Sequence, residues 1–290
     1  MKKLLVQLDS SRSPSTFDQV VAYDSGVDDI LSYGGIGEAD VRDLVHGCIF
    51  TRSPNHLQNT AIFIGGTDIG IGAKLLSTAQ QAFFGPFRVS VMLDSNGSNT
   101  TAAAAVVKLV QAVGDIHGKR VVLTAGTGPV GRRAAGLLAK AGADVTITSR
   151  NTEEGTRAAQ GIHDRFGGTV TCVLMRDASE ANTVLDEAKP ELLLNTGPAG
   201  VNLVPRSAWE GRKGLLVAAD LNAVPPLGIE GIESKDDGAK RGSITVFGAL
   251  GIGGLKMKVH KACLARLFER NDLVLDADTI FEVARETVRQ

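Results

Sequence analysis

Short apolar runs rich in β-branched residues alternate along the chain with stretches of helical period. The runs Lys3–Leu8, Ile30–Tyr33, Cys48–Thr51, Ala61–Ile64 and Val89–Leu93 read as strands. So do Arg120–Ala125, Asp144–Thr148, Thr169–Val173, Leu192–Asn195, Leu215–Ala219 and Ile244–Phe247. Between them, Asp68–Ala82, Thr100–Val113 and Val130–Ala141 carry apolar positions at helical spacing. Strands alternating with helices predict βαβ units and parallel sheets. The unbroken apolar run Leu192-Leu193-Leu194 fits a strand covered on both faces, as parallel strands are. The expected fold class is α/β.

The short polar segment Gly114–Gly118 separates a helix from a strand and marks a seam. A nucleotide-binding Rossmann domain is expected over 114–250. A second α/β domain is expected over 1–113, completed by 251–290. The glycine-rich stretch Gly248–Gly254 is read as a turn leading into a final helical region.

Composition narrows the classes. Glycine is abundant at 34 residues and aromatics are only 4 %, which suits many strand-to-helix turns better than a β-sandwich. A formal net charge of −1 without a basic stripe leaves nucleic-acid binding little electrostatic support. Cys48, Cys172 and Cys263 are scattered, and the five histidines lack ligand spacing, so no metal site is expected. Gln7 and Asp9 break the N-terminal apolar run too early for a signal peptide. No apolar stretch reaches the ~20 residues that span a bilayer. A cytoplasmic protein without membrane or nucleic-acid partners is expected.

The strongest motif is Gly126-Thr127-Gly128-Pro129-Val130-Gly131, which follows a predicted strand and opens a helix. That context turns a weak glycine pattern into a dinucleotide-binding fingerprint. Gly126 is assigned the tight turn, Gly128 the close approach to the pyrophosphate, and Gly131 the helix–strand packing. Ser149 and Arg150 end the next strand, 18 and 19 residues after Gly131, where an NAD site usually offers a carboxylate to the ribose. Arg150 would instead hold a 2′-phosphate with a planar fork, with Ser149 as a further donor and Arg132 as a nearby cation. NADP is therefore the expected cofactor, with NAD a weaker alternative. Thr196 and Gly197 after one strand, and Asn222 after another, are expected beside the nicotinamide.

Five segments together carry a resemblance. They are Phe83–Arg88, Asp94–Thr101, Gly126–Gly131, Asn222–Gly231 with its Pro-Pro-Leu-Gly core, and Phe247–Lys258. Over nearly its whole length the chain resembles bacterial methylene-tetrahydromethanopterin dehydrogenases, relatives in fold of methylene-tetrahydrofolate dehydrogenases. The resemblance implies a two-domain enzyme with an inter-domain cleft, a reduced pterin substrate, and a homo-oligomer, trimeric or hexameric. It implies reversible hydride transfer from a methylene bridge to NADP, giving the methenyl form, with methylene-tetrahydrofolate as a second carrier. Such a step needs alignment and charge stabilisation, not a proton-transfer triad. Asp18 and Asp94 are the candidates for positioning or charge stabilisation. Lys256 is the candidate for orienting the pterin, and Ser98 and Thr101 for added hydrogen bonds. Neither Tyr23 nor Tyr33 has a lysine nearby on a helix, so no cyclohydrolase activity is expected. Two readings compete: a shikimate- or amino-acid-type NADP dehydrogenase on the same two-domain plan, and a non-catalytic NADP-sensing protein.

Overall fold

The computed structural model describes residues 1–289. Two compact units divide the chain: Met1–Thr100 with the segment from Met257 onward, and Thr101–Lys256.

The first unit opens with β1 (Leu4–Asp9), α1 (Thr16–Asp24), β2 (Asp29–Gly34) and α2 (Glu38–Ile49). It continues with β3 (Thr60–Gly65), α3 (Ile69–Gln81) and β4 (Ser90–Leu93), and its last helical turn starts α4 (Ser98–Val113). Its strands pair in the order β12-β4-β3-β1-β2, where β12 is Val274–Leu275 near the C-terminus. Every pairing is parallel. Counted within the unit the order is 2-1-3-4-5, the doubly wound arrangement. All six residues of β3 are buried, as expected of a strand with both faces covered. Val6, Leu8, Ile62 and Ile64 meet Val41, Val45, Ile49 and Leu75 in one apolar cluster on one side of this sheet.

The second unit holds β5 (Arg120–Thr124), α5 (Pro129–Lys140), β6 (Asp144–Ser149), α6 (Thr152–Phe166) and β7 (Thr169–Leu174). It goes on through α7 (Ala181–Ala188), β8 (Leu192–Asn195), the short α8 (Arg206–Trp209), β9 (Val217–Asp220), β10 (Asp237–Arg241) and β11 (Ile244–Phe247). The sheet order is β10-β11-β9-β8-β5-β6-β7. Without the edge hairpin strand β10, this is 3-2-1-4-5-6, the Rossmann order. Only β10 runs antiparallel. Trp209, fully buried, anchors a core with Leu193, Val204, Leu215 and Ile229, and its indole N–H donates to the Glu230 carbonyl at 2.9 Å.

The helices α9 (Ala249–Arg266) and α10 (Ala277–Thr287) complete the elements. Two expected elements are corrected, and one strand adds to those expected. Cys48–Thr51 is not a strand: Cys48 and Ile49 end α2. There they extend the stripe Val41–Val45–Ile49, whose four-residue spacing puts all three on the buried helix face. The polar segment Asp237–Arg241 is a strand because it pairs with β11 through a hairpin at the sheet edge, where one face needs no apolar side chains. The glycine-rich stretch after Phe247 is no turn, since α9 already begins at Ala249. A Cβ at Gly248 or Gly251 would collide with the carbonyl oxygens of Glu233 and Asp236 respectively. Those glycines let the helix start pack against the loop 233–237.

Candidate dinucleotide and pterin site residues

In the second unit the chain leaves β5 and β8 toward opposite sides, so their carboxyl ends form the topological switch point of the sheet. The turn after β5 is built by three glycines with different tasks. Ala125, not Gly126, takes the positive φ of 52°. Its N–H is held by Thr148 Oγ1 at 3.0 Å, and the Gly126 N–H by the Thr148 carbonyl at 3.1 Å. Gly126 is required by packing, because a Cβ there would lie 2.6 Å from Ile147 Cβ. Gly131 is squeezed likewise, with Gly126 Cα and Thr196 Oγ1 both 2.7 Å from an added Cβ.

Gly128 differs from both. A Cβ on it would meet only the Ala125 carbonyl oxygen, at an ordinary 3.7 Å. Its φ of −71° suits any residue. Nothing in the protein therefore requires glycine at 128. The same residue caps α5, with Pro129 at the first helical position and no side-chain cap. The first turn of α5 keeps the outward N–H groups and positive dipole end that suit an anion.

At the end of β6, Arg150 is exposed while Ser149 is buried. The Ser149 hydroxyl donates to the Asn151 carbonyl at 2.8 Å and accepts from the Asn151 N–H at 3.1 Å. Asn151 caps α6 through the Glu154 N–H. Arg132 is tied back to the turn, with Nε donating to the Thr127 carbonyl at 2.7 Å. Two carboxylates, Glu153 and Glu154, lie in the first turn of α6.

Beyond β8, Thr196 Oγ1 donates to the Thr124 carbonyl at 2.9 Å, stitching the two switch-point strands together. Beyond β9, the nearly buried Asn222 is the knot of its loop. Its Oδ1 accepts from the Val224 N–H at 2.9 Å, and its Nδ2 donates to the Pro226 carbonyl at 3.2 Å. Asn195 and Asp220 open the two segments expected beside the nicotinamide, but their side chains, and that of Thr124, were given no role; all three are buried polar residues, ending β8, β9 and β5. A polar residue closing an apolar strand run was the available signal.

In the first unit, Asp94 directly follows β4 and is 1 % exposed. Its Oδ1 accepts from the N–H groups of Asn99 (2.8 Å) and Thr100 (3.1 Å), and its Oδ2 from Thr100 Oγ1 at 2.6 Å. Ser98 Oγ donates to the Ser95 carbonyl at 2.7 Å. Both side chains hold the start of α4, and Thr101 follows in that helix. Asp18 sits in the first turn of α1, capped by Ser15 Oγ at 3.2 Å. Its Oδ1 lies 3.8 Å from Nε2 of His260, which is fully buried and stacks on Phe63 with ring centroids 5.9 Å apart. Also missed was Asp9, the buried carboxylate ending β1, which accepts from the N–H groups of Ser11 (2.8 Å) and Ser15 (3.2 Å). Lys256 lies inside α9 and is half-buried, rather than at a helix start, because the helix runs straight through Gly253 and Gly254. No three His, Cys, Asp or Glu side chains among the described residues are grouped to hold a metal ion.

Residues 16–96 match the N-terminal domain of methylene-tetrahydromethanopterin dehydrogenases. The bifunctional protein MdtA of Methylorubrum extorquens is 46 % identical over 287 residues, covering 98 % of this chain and 99 % of that protein. An NAD(P)-dependent methylenetetrahydromethanopterin dehydrogenase of the same organism is 32 % identical, covering 98 % of each. The chain belongs to the methylene-tetrahydromethanopterin dehydrogenase family. Among solved structures, the ligand-free 5-ketofructose reductase of Gluconobacter is similar with a TM-score of 0.53, 16 % identity and 99 % of each chain covered. Shikimate dehydrogenase from Aquifex aeolicus gives 0.53, with 14 % identity and 100 % and 98 % coverage. At such identities these likenesses speak for the fold alone. They explain why a shikimate-type reading competes on plan, while family membership rests on end-to-end sequence similarity. The segment shared with the family's N-terminal domain contains Asp18 and Asp94.

Proposed function

We propose that this member of the family is an NADP-dependent methylene-tetrahydromethanopterin dehydrogenase, with methylene-tetrahydrofolate as a second carrier. The reaction is a reversible hydride transfer that converts a methylene bridge between two nitrogens into a methenyl cation. One observation carries the dinucleotide half: a glycine that packing does not require, Gly128, stands at the switch point of a Rossmann-ordered sheet. The pterin half is supported by the family match over residues 16–96 and by an NAD(P)-dependent methylenetetrahydromethanopterin dehydrogenase that covers the chain end to end.

In this reading the unit Thr101–Lys256 is the dinucleotide domain. Gly126, Thr127, Gly128, Pro129, Val130 and Gly131 form the pyrophosphate cradle. Val130 and Gly131 N–H groups face the anion at the helix start. Arg150 holds the 2′-phosphate. Ser149 shapes the turn that presents Arg150, since its hydroxyl is engaged with Asn151. Thr196, Gly197 and Asn222 shape the nicotinamide end. The nicotinamide supplies the hydride acceptor. Lys256 orients the pterin through a donor to its carbonyl, and Asp18 stabilises the cationic product. Asp94, Ser98 and Thr101 contribute chiefly by holding and lining the start of α4. The protein works as a cytoplasmic homo-oligomer in this reading, which mass measurement in solution tests.

The decisive assay follows absorbance of the reduced nicotinamide with methylene-tetrahydromethanopterin and methylene-tetrahydrofolate, each against NADP and NAD. Turnover is expected with both carriers, with NADP favoured over NAD. Absence of turnover with either carrier, alongside measurable NADP binding, would leave the sensing reading in its place.

A further inference from the structure

A row of buried polar side chains lies at the carboxyl ends of β5, β8 and β9. Thr124, Asn195 and Asp220 are 1 %, 0 % and 1 % exposed. Thr124 Oγ1 donates to Asn195 Oδ1 at 2.6 Å, and Asn195 Nδ2 donates to Asp220 Oδ1 at 2.7 Å. The same atoms reach into the loops beyond the strands. Asn195 Oδ1 also accepts from the Gly197 N–H at 3.2 Å. Asp220 Oδ1 accepts from the Asn222 N–H and Oδ2 from the Ile229 N–H, both at 3.0 Å. Gly228 closes over the pair, since a Cβ there would overlap Asn195 Nδ2.

A buried carboxylate is unfavourable unless its oxygens are filled, and apolar residues hold sheet strands together without that penalty. The row does what apolar residues cannot. It ties one strand to the next and, through Gly197, Asn222 and Ile229, ties the loops 196–200 and 221–229 to the strand ends. Both loops stand on the β8–β9 side of the switch point, while Arg150 stands on the β6 side. The row therefore governs one end of the site and not the other.

We propose that Thr124, Asn195 and Asp220 form a positioning element that sets the nicotinamide end of the dinucleotide site while leaving the adenosine end untouched. The inference rests on the dinucleotide reading above. None of the three need touch the cofactor. They act through the loops they hold.

The test separates the two ends of the cofactor. Asn195→Asp removes the only donor between the pair and sets a second carboxylate beside Asp220. Thr124→Val, isosteric and milder, removes one bond and serves where Asn195→Asp does not fold. Affinity is measured for NADPH and for 2′,5′-ADP, which carries the adenosine half alone, together with kcat and KM for NADP. For folded variants the expected result is 2′,5′-ADP affinity within about twofold of wild type. NADPH affinity should fall about tenfold. The kcat should fall by about 10–100-fold, the scale of a small misplacement in an aligned reaction. The exchange Asn195→Asp with Asp220→Asn rebuilds one bond between β8 and β9 and should recover part of the loss. A lowered melting temperature with unchanged NADPH affinity and kcat would overturn the proposal, making the row a feature of folding only. Equal losses for NADPH and 2′,5′-ADP would also overturn it. If the wild type binds NADPH but turns over neither carrier, the proposed reaction fails, and the comparison of the two ligands still decides the role of the row.

Discussion

Arg150 and Gly128 carry the cofactor reading residue by residue, and each makes a separable prediction. Arg150→Glu replaces an exposed fork with a carboxylate beside Glu153 and Glu154. NADP binding should weaken by about 2–4 kcal/mol, with NAD nearly unaffected. Parallel titrations of both cofactors check this, and equal changes would remove Arg150 as the reader of the 2′-phosphate. Gly128→Val adds a Cβ that meets only the Ala125 carbonyl oxygen, at 3.7 Å. Stability should stay within roughly 0.5 kcal/mol while NADP binding is lost. Gly131→Val should do the opposite first, since an added Cβ lies 2.7 Å from Gly126 Cα. Overpacking of about 1–3 kcal/mol or more should lower its melting temperature before any ligand is added. The thiols make a pH prediction. Burial pushes the Cys48 thiol up to about 12. The raised value keeps the thiolate, the reactive form, at about 10⁻⁴ of the total at pH 8. Alkylation followed by mass spectrometry should leave native Cys48 unmodified at pH 8 and label it after denaturation.

At the scale of elements, helix starts decide what several candidate residues do. Asp94 was a natural choice for charge stabilisation from its place after a strand, yet its carboxylate receives three donors from the first turn of α4. Asp94→Ala should therefore cost about 2–3 kcal/mol in denaturant unfolding, from a lost cap and buried N–H groups left without a carboxylate. Activity lost with no change in stability would return Asp94 to the reaction itself. The element readings failed where period was ambiguous. Cys48-Ile49-Phe50-Thr51 is four residues of strand-like composition, too short to show that its first two continue a helical stripe. The segment Gly248–Gly254 reads as a turn because glycine usually breaks helices. The loop 233–237 overrides that preference, by lying where side chains on Gly248 and Gly251 would be.

For the molecule as a whole, Lys256 carries the prediction about the methylene carrier. It lies in α9, just before the chain passes from one unit to the other. Lys256→Ala should lower kcat/KM for the methylene carrier by roughly 10²-fold while NADP affinity stays put. Near-wild-type turnover would make it a solvated helix cation, and an equal loss in NADP affinity would move it to the cofactor site. The alternation of strands and helices, the glycine turn and the residue ending the following strand were all legible in the sequence. Each is a local pattern, set by side-chain period and backbone freedom over fewer than about 20 residues. The order of the strands was not legible. Nothing within β4 says that β12, a two-residue strand some 180 residues downstream, pairs with it. Nor does anything near Thr124 say that Asn195 and Asp220 will lie beside it. The glycine motif announced a cradle, but only the packed sheet showed that Gly126 and Gly131 answer to neighbours and Gly128 to none. The sequence by itself determined most of the strands and helices and the glycine turn after β5, because those follow from short-range chemistry. The tertiary structure alone decided which buried polar groups meet, because such contacts join residues far apart along the chain whose proximity is set by sheet order and burial.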